Sequence, residues 1–199
     1  DWTGYAVSQP LHGQRWMNIM RQERGQCPVV DVAYLPVPCM HCDNPPCVKV
    51  CPVDATYKRT DGLVLIDNER CIGCKFCMAA CPYHARYFNW WDPVWPAGME
   101  KYLNPDISVR MRGVVEKCGF CFQRYQKALE KAHMEGRREL EEHEYQTSCT
   151  QACPAGAIVS GDLRNPHHKV HQLAQPDFNK HGRPKNPMAF RLLEELGTN

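Results

Sequence analysis

The sequence contains no run of about 18 apolar residues, the shortest stretch that crosses a membrane as a helix. This absence predicts a chain with no transmembrane segment of its own. The formal net charge of +2 is too close to neutral to favour nucleic acid as a partner. No group of side chains has a pattern typical of acid–base catalysis, so the sequence gives no indication of bond-making chemistry.

The sequence is rich in cysteine, with 13 among 199 residues. Disulfide scaffolds are typical of secreted chains shorter than about 80 residues, and this chain is longer. Zinc ribbons use C-x2-C pairs, but they do not need a regular third and fourth cysteine followed by proline. Iron–sulfur ligation accounts for twelve of the 13 cysteines, so we predict [4Fe-4S] clusters.

The central motif runs from Cys71 to Pro82 and reads C-x2-C-x2-C-x3-C-P. Its first three thiols lie on one tight loop and suit a single cluster, whereas the fourth points away along a helical turn. In bacterial ferredoxins that fourth cysteine ligates the neighbouring cluster. A second motif upstream ends at Cys51-Pro52, so the two motifs are expected to exchange their fourth ligands. Cluster one then takes Cys39, Cys42, Cys47 and Cys81, and cluster two takes Cys71, Cys74, Cys77 and Cys51.

A third motif consists of Cys118, Cys121, Cys149 and Cys153, with a 27-residue gap after the second cysteine. These four thiols could close one cluster among themselves. The exchange rule instead sends Cys153 to another cluster, and it leaves the first three in need of a fourth ligand or holding a [3Fe-4S] cluster. Cys27 is the only spare cysteine, and we expect it to be a buried free thiol.

The Cys-Pro positions define a repeated unit of loop, short helix, Cys-Pro and strand. It recurs at Cys51-Pro52, Cys81-Pro82 and Cys153-Pro154. In each copy an alanine stands three residues after the proline. The repeat predicts an α+β fold of tandem ferredoxin-like halves, each built for two [4Fe-4S] clusters, with long insertions and an extended C-terminal tail. The expected boundaries are an N-terminal arm at 1–37, a two-cluster domain at 38–89, a Trp-rich insertion at 90–117, a second half at 118–163 and a tail at 164–199.

Local signals predict individual elements. Asp61-Gly62 between apolar runs is typical of a β-hairpin. We expect a strand over Val29 to Val37, short helical structure over Val48 to Cys51 and a longer solvated helix over Phe122 to Glu142. The first 25 residues are interpreted as a short helix or an extended arm.

Side chains near the cysteines are expected to adjust the clusters. Apolar residues between the thiols should keep water from the sulfur atoms: Ile72, Phe76, Val48 and Pro46. Cations should ease reduction of a negatively charged cluster, although each of these residues could equally be an ordinary surface charge: Lys49, Arg70, Lys75 and Lys117.

The three motifs, in this order, resemble the iron–sulfur subunits of the molybdopterin oxidoreductase superfamily. A closer similarity, to the iron–sulfur subunits of the menaquinone reductase (Qrc) complex and its relatives, lies in residues 82–90, 92–96, 112–118 and 161–166. The segments Trp2 to Tyr5 and Arg15 to Ile19 resemble the small subunit of pyrogallol–phloroglucinol transhydroxylase.

The resemblance implies an electron-transfer subunit with three to four clusters. Its partners would be a molybdopterin-type or multihaem cytochrome subunit and an NrfD-type membrane quinone subunit, which would hold it at the membrane, on the periplasmic face. The alternative is the small subunit of a soluble molybdopterin hydroxylase or transhydroxylase. Family members carry one further cysteine motif just before the position of Asp1. We therefore expect a longer natural chain, whose extra cysteines complete cluster three and a fourth cluster shared with Cys153.

Overall fold

The computed structural model describes residues 16–174, which form three separate two-stranded antiparallel sheets and several short helices. The strands are β1 (Met17–Gln26), β2 (Val29–Pro38), β3 (Thr56–Lys58), β4 (Val64–Ile66), β5 (Arg86–Phe88) and β6 (Val115–Lys117). The helices are α1 (Pro46–Lys49), α2 (Phe76–Ala79), α3 (Phe122–Met134), α4 (Ser148–Ala152) and α5 (Lys169–Ala174), with a 3-10 turn at Met99–Tyr102. This mixture confirms the α+β class. The chain divides into two compact units between Gly119 and Phe120.

Strands β1 and β2 form a long hairpin that precedes the first cysteine loop. Their register pairs Met17 with Pro38 and Gln26 with Val29. The expected strand before the cysteines is therefore confirmed. Of the two interpretations of the first 25 residues, a short helix or an extended arm, strand β1 supports the extended arm from Met17 onward, and residues 1–15 lie outside the described part of the chain. Cys27 lies in the turn between the strands and is exposed, so the prediction of a buried thiol is wrong.

The predicted hairpin at Asp61-Gly62 is confirmed by the pairing of β3 with β4. Gly62 has a φ of +92°, a value that glycine adopts without steric strain. The Asp61 carboxylate accepts the Leu63 N–H at 3.2 Å, which stabilises the turn. The hairpin follows the Cys51-Pro52 turn and so leads the chain back toward the central motif.

Strands β5 and β6 pair across a long insertion, which the sequence did not indicate. Residue Arg86 pairs with Lys117, and Phe88 pairs with Val115. Two further hydrogen bonds continue the ladder, from the Asn89 N–H to the Val114 carbonyl at 2.9 Å and from the Gly113 N–H to the Asn89 carbonyl at 2.8 Å. The two ends of the Trp-rich segment are therefore hydrogen-bonded to each other and lie side by side.

The short helices are single turns between cysteines. Helix α1 begins two residues earlier than expected, because Pro46 occupies its first turn, where the missing N–H of proline is not needed. Helix α2 follows Lys75, whose φ of +65° sets the turn before the helix. Each helix carries one buried cysteine, Cys47 in α1 and Cys77 in α2.

Helix α3 ends at Met134, eight residues before the predicted end at Glu142. Gly136, with a φ of +78°, stops it. The Arg137 N–H binds the Ala132 carbonyl at 2.9 Å and the Gly136 N–H binds the His133 carbonyl at 3.0 Å. These two bonds form a Schellman motif, which satisfies the last carbonyls of the helix and turns the chain away. No helix in the range 16–174 is long and apolar enough to cross a membrane.

An ion pair holds the loop that follows α3. The Arg137 guanidinium binds both carboxylate oxygens of Glu144, at 2.5 and 2.8 Å, and Glu135 at 2.5 Å. The Glu144 carboxylate also accepts the Glu141 N–H at 2.8 Å. These donors lower the pKa of Glu144 to about 2, with the Arg137 hydrogen bond as the largest cause.

We therefore expect Glu144 to titrate well below an ordinary glutamate. A carboxyl with a lowered pKa stabilises the fold above its unfolded value of 4.5, and this stabilisation is lost as the pH falls toward about 2. Arg137→Gln should raise the pKa of Glu144, as measured by carboxyl carbon NMR. Arg138→Gln, at an exposed neighbour, is the matched control and should leave it unchanged. An unshifted pKa in Arg137→Gln would contradict the assignment.

The apolar core of the first unit is small and lies among the cysteines. Its buried members are Cys47, Val64, Cys77 and Val115. Val64 and Val115 are each only 1% exposed. The core therefore joins thiols from two different motifs through a strand residue of β4 and one of β6. Such a core is too small to hold a fold of this size alone, which favours cofactors as part of the interior.

Candidate metal centres

Two cavities lie among the cysteines of the first unit. The first is lined by four thiols: Cys39, Cys42, Cys47 and Cys81. The second is lined by four others: Cys51, Cys71, Cys74 and Cys77. Equal numbers of thiols are what two sites for the same cofactor require.

The fourth thiol of each cavity arrives on a Cys-Pro turn. In the first cavity Cys81 is accompanied by Pro82 and Ala85, and in the second Cys51 is accompanied by Ala55. Both alanines are buried, at 6% and 2% exposure. The two turns therefore have equivalent positions, each beside the three cysteines of the other motif, because the short helices α1 and α2 carry the chain across.

The chemistry of these thiols fits a metal cluster. All 13 cysteines are free, so no disulfide competes for them. Across residues 16–174, no three His, Cys, Asp or Glu side chains are close enough together to share one metal ion. Four thiols around a cavity suit a larger iron–sulfur group. Burial, followed by the neighbouring Cys39, raises the pKa of Cys42 to about 11, so iron must replace a proton there when it binds.

The thiol of Cys51 receives backbone hydrogen bonds. Burial raises its pKa, but N–H groups of Thr56, Val53 and Ala55 outweigh that effect and lower it. Cys71 accepts the Val115 N–H at 3.4 Å. Such bonds stabilise a thiolate and adjust the potential of a cluster that it ligates.

A repeated backbone conformation positions the thiols in all three motifs. The residue before the second cysteine has a positive φ in each: His41 at 46°, Gly73 at 69° and Phe120 at 56°. The third residue after each Cys-Pro cysteine does too: Asp54 at 51°, His84 at 50° and Gly156 at 61°. This conformation turns the backbone sharply, so the three motifs share one local geometry despite their different spacings.

The expectation that apolar residues shield the sulfur atoms holds for only part of the set. Val48 packs against the core, and Pro46 is half-buried. Ile72 and Phe76, however, are 63% and 59% exposed, and Cys74 between them is exposed as well. Ile72 nevertheless lines the second cavity beside Cys71 and Cys74, whereas Phe76 does not, so the expectation is wrong for Phe76.

The predicted cations differ in their positions. Lys49 and Arg70 are exposed, and Arg70 pairs with Asp67 at 3.3 Å. The Lys75 amine lies 3.8 Å from the centre of the Trp90 ring, in a cation–π contact. Only Lys117 is buried, and its amine donates to the Val64 carbonyl and, at 2.8 Å, to the Cys118 carbonyl.

Two polar residues near the cavities were not identified from the sequence. Arg86, 4% exposed, donates to Cys47 Sγ at 2.9 Å and to Thr56 Oγ1 at 3.1 Å. His41 Nδ1 accepts the Val64 N–H at 3.0 Å. Burial, aided by Lys117, lowers the pKa of His41 to about 2, so its ring is neutral. A buried arginine follows Cys81 by five residues, but nothing in the sequence separates it from a surface arginine.

The third motif is divided by the boundary between the two units. Cys118 belongs to the first unit, and the other three cysteines belong to the second. Cys121 Sγ accepts the Ser148 N–H at 3.2 Å, and Cys149 Sγ lies 3.0 Å from Thr147 Oγ1. Backbone N–H groups of Ala157, and then of Ile158, Ala155 and Gly156, lower the pKa of Cys153. Cys153 therefore has the same type of backbone environment as Cys51.

Comparison with known proteins identifies the family. Residues 30–97 match a family model described as a 4Fe-4S dicluster domain, and residues 70–157 match a second model with the same description. The menaquinone reductase iron–sulfur cluster-binding subunit of Nitratidesulfovibrio vulgaris is 53% identical over 96% of this chain and 73% of its own length. The arsenate respiratory reductase iron–sulfur subunit of a Shewanella species is 35% identical over 81% of this chain and 74% of its own length.

The chain belongs to the iron–sulfur subunits of the molybdopterin oxidoreductase superfamily. The predicted resemblance and the tandem ferredoxin-like architecture are thereby confirmed. Subunits of this family transfer electrons within oxidoreductase complexes, and multiple [4Fe-4S] clusters are the cofactors that the two dicluster domains bind. The pyrogallol hydroxytransferase small subunit of Pelobacter acidigallici is 49% identical, but over 45% of this chain and 32% of its own length.

Proposed function

We propose that this iron–sulfur subunit relays electrons between a molybdopterin-type or multihaem cytochrome subunit and an NrfD-type membrane subunit that reacts with quinone. The observation that carries this proposal is the pair of four-thiol cavities joined through one small core. A bound [4Fe-4S] cluster supplies a one-electron couple. The protein contributes thiols, backbone donors and a shared wall between the cavities.

In this proposal the first cavity holds cluster one on Cys39, Cys42, Cys47 and Cys81. The second cavity holds cluster two on Cys71, Cys74, Cys77 and Cys51. The lining of each cavity supports this assignment, since each combines three thiols of one motif with the last thiol of the other. Cys47 and Cys77 meet in the same core, so the two clusters would be close enough for direct electron exchange.

For the third motif we propose that Cys118, Cys121 and Cys149 ligate cluster three. Cys153 completes that cluster or ligates a fourth one. The backbone donors around Cys153 support a ligand role, because the proposed ligand Cys51 has equivalent donors. In the first case the four thiols close one cluster; in the second, cysteines of a further N-terminal motif complete cluster three and share the fourth cluster with Cys153. A [3Fe-4S] cluster on Cys118, Cys121 and Cys149 is the alternative.

The quinone-linked role is supported by the relative whose printed name is menaquinone reductase, which matches nearly the whole chain. That role would place the subunit at the membrane through its partners, on the periplasmic face. The second candidate is the electron-transfer small subunit of a soluble molybdopterin hydroxylase or transhydroxylase. It is supported by the high identity to the pyrogallol hydroxytransferase small subunit over 89 residues.

Purification of the tagged subunit from its native membranes in mild detergent separates the two candidates. We expect an NrfD-type subunit to co-purify, and a menaquinol analogue to bleach the visible absorbance of the clusters in that complex. The subunit alone is the control and should not be reduced by the quinol. A soluble molybdopterin partner as the only companion, with no reduction by quinol, would contradict the quinone-linked role and favour the second candidate.

A further inference from the structure

Arg86 is a buried cation at the junction of the two cavities. It opens β5, directly after the Cys81-Pro82 turn, and pairs in the sheet with Lys117. Its guanidinium lies 2.9 Å from Cys47 Sγ, a thiol of the first cavity. Cys77, a thiol of the second cavity, packs in the same core as Cys47, and the positive charge of Arg86 acts to lower the pKa of that thiol against the effect of burial. The charge of one side chain therefore acts on thiols of both cavities.

The charge of Arg86 has no carboxylate partner at ion-pair distance within residues 16–174. The other buried charges nearby are arranged differently. Glu116 faces Arg110 at 3.7 Å, and the Lys117 amine is directed to backbone carbonyls. An unpaired buried charge is costly, so the negative partner of Arg86 must be the thiolates themselves. In agreement, Cys47, Cys77 and Cys39 raise the pKa of Arg86 although burial alone lowers it.

A guanidinium suits this position better than an ammonium group. It is planar, always charged, and presents several donors in fixed directions, so it can reach two thiolates at once. Thr56 Oγ1, at 3.1 Å, accepts a further hydrogen bond from it and fixes its orientation. Hydrogen bonds to the ligating sulfur atoms and added positive charge both favour the reduced, more negative form of a cluster.

We propose that Arg86 is a positioning residue that raises the reduction potentials of clusters one and two together. It does so by sharing its charge between Cys47 and Cys77. The shared cation also lowers the repulsion between the two clusters when an electron occupies either one. This inference rests on the ligand assignment proposed above, but not on the identity of the partners.

The test is a redox titration of the purified, cluster-loaded subunit, monitored by EPR, with iron content measured on the same samples. In Arg86→Gln we expect both potentials to fall, each by at least a tenfold change in the reduction equilibrium, or about 59 mV for a one-electron couple. Arg86→Lys keeps the charge and should recover part of each shift. Arg138→Gln removes an exposed arginine of the second unit that lines neither cavity, and is the matched control, with unchanged potentials.

Unchanged potentials in Arg86→Gln at full iron content would refute the proposal, as would a shift confined to one cluster. If Arg86→Gln does not retain iron, the two reduction potentials of Arg86→Lys test the proposal instead. A lysine cannot reach both thiols, so at least one potential must still fall, and two unchanged potentials would overturn the idea. The titration uses soluble mediators and no partner subunit, so its result does not depend on whether the quinone-linked role is correct.

Discussion

Serine in place of Cys81 is expected to remove or alter the cluster of the first cavity, although Cys81 belongs to the motif that surrounds the second. The four irons of one cluster should be lost or reduced in number, while the EPR signal of the other cluster remains. The physical reason is that the Cys81-Pro82 turn carries this thiol to the cavity of Cys39, Cys42 and Cys47. Loss of one thiolate from four leaves an iron without its protein ligand.

Matched variants make the result specific. Cys81→Ser should lose the same EPR signal as Cys39→Ser, and Cys51→Ser should lose the same signal as Cys74→Ser. Cys27→Ser, at the exposed turn between β1 and β2, should change neither signal. If Cys81→Ser instead matched Cys74→Ser, each motif would close its own cluster, and the exchange of fourth ligands would be refuted.

Gly73→Ala is expected to produce the largest loss of stability among single-methyl substitutions near the clusters. Gly73 has a φ of +69°, and an added Cβ would collide with the Gly113 carbonyl oxygen and lie 2.9 Å from Phe88 Cε2. The obstacle at Gly113 is backbone, held by the hydrogen bond to Asn89, and cannot rotate away. Backbone strain of about 1–2 kcal/mol adds to overpacking of about 1–3 kcal/mol.

Gly62→Ala is the control, because it introduces backbone strain without a steric collision. Gly62 also has a positive φ, of +92°, but an added Cβ there has no atom within 4 Å. Gly62→Ala should therefore cost only the backbone strain, about 1–2 kcal/mol. The measurement is the denaturant midpoint at which the visible cluster absorbance is lost. Equal midpoints for the two variants would show that the close approach of Gly113 is unimportant.

The same comparison explains why glycine occurs at this position in only one motif. His41 and Phe120 adopt a positive φ at the equivalent places, so a side chain is tolerated there. What excludes a side chain at Gly73 is the segment before β6, which packs against the loop. The glycine is visible in the sequence, but the group that requires it, the Gly113 carbonyl, lies about 40 residues further along the chain.

Several elements could be predicted because their causes are local. The Asp61-Gly62 turn defines its hairpin, and the β-branched residues before the first cysteine favour β2. The end of α3 was also predictable, since Gly136 is a typical helix stop, but the run of glutamates that follows it was interpreted as helix. The pairing of β5 with β6 could not be predicted, because the intervening insertion carries no signal for which strand it returns to.

Cysteine spacing alone indicates the cofactor, because the reach of a thiol along a few residues of loop limits which metal group it can bind. The family was predicted from a resemblance that includes segments without cysteines. Which side chains line each cavity depends on pairing between strands that are far apart in the sequence. The contact of Arg86 with Cys47, the burial of Lys117 and the close approach to Gly73 all follow from β5 and β6 lying side by side. Burial and partner charge arise only when distant segments meet, so residues that adjust a cluster are visible in the folded chain and not in its spacing.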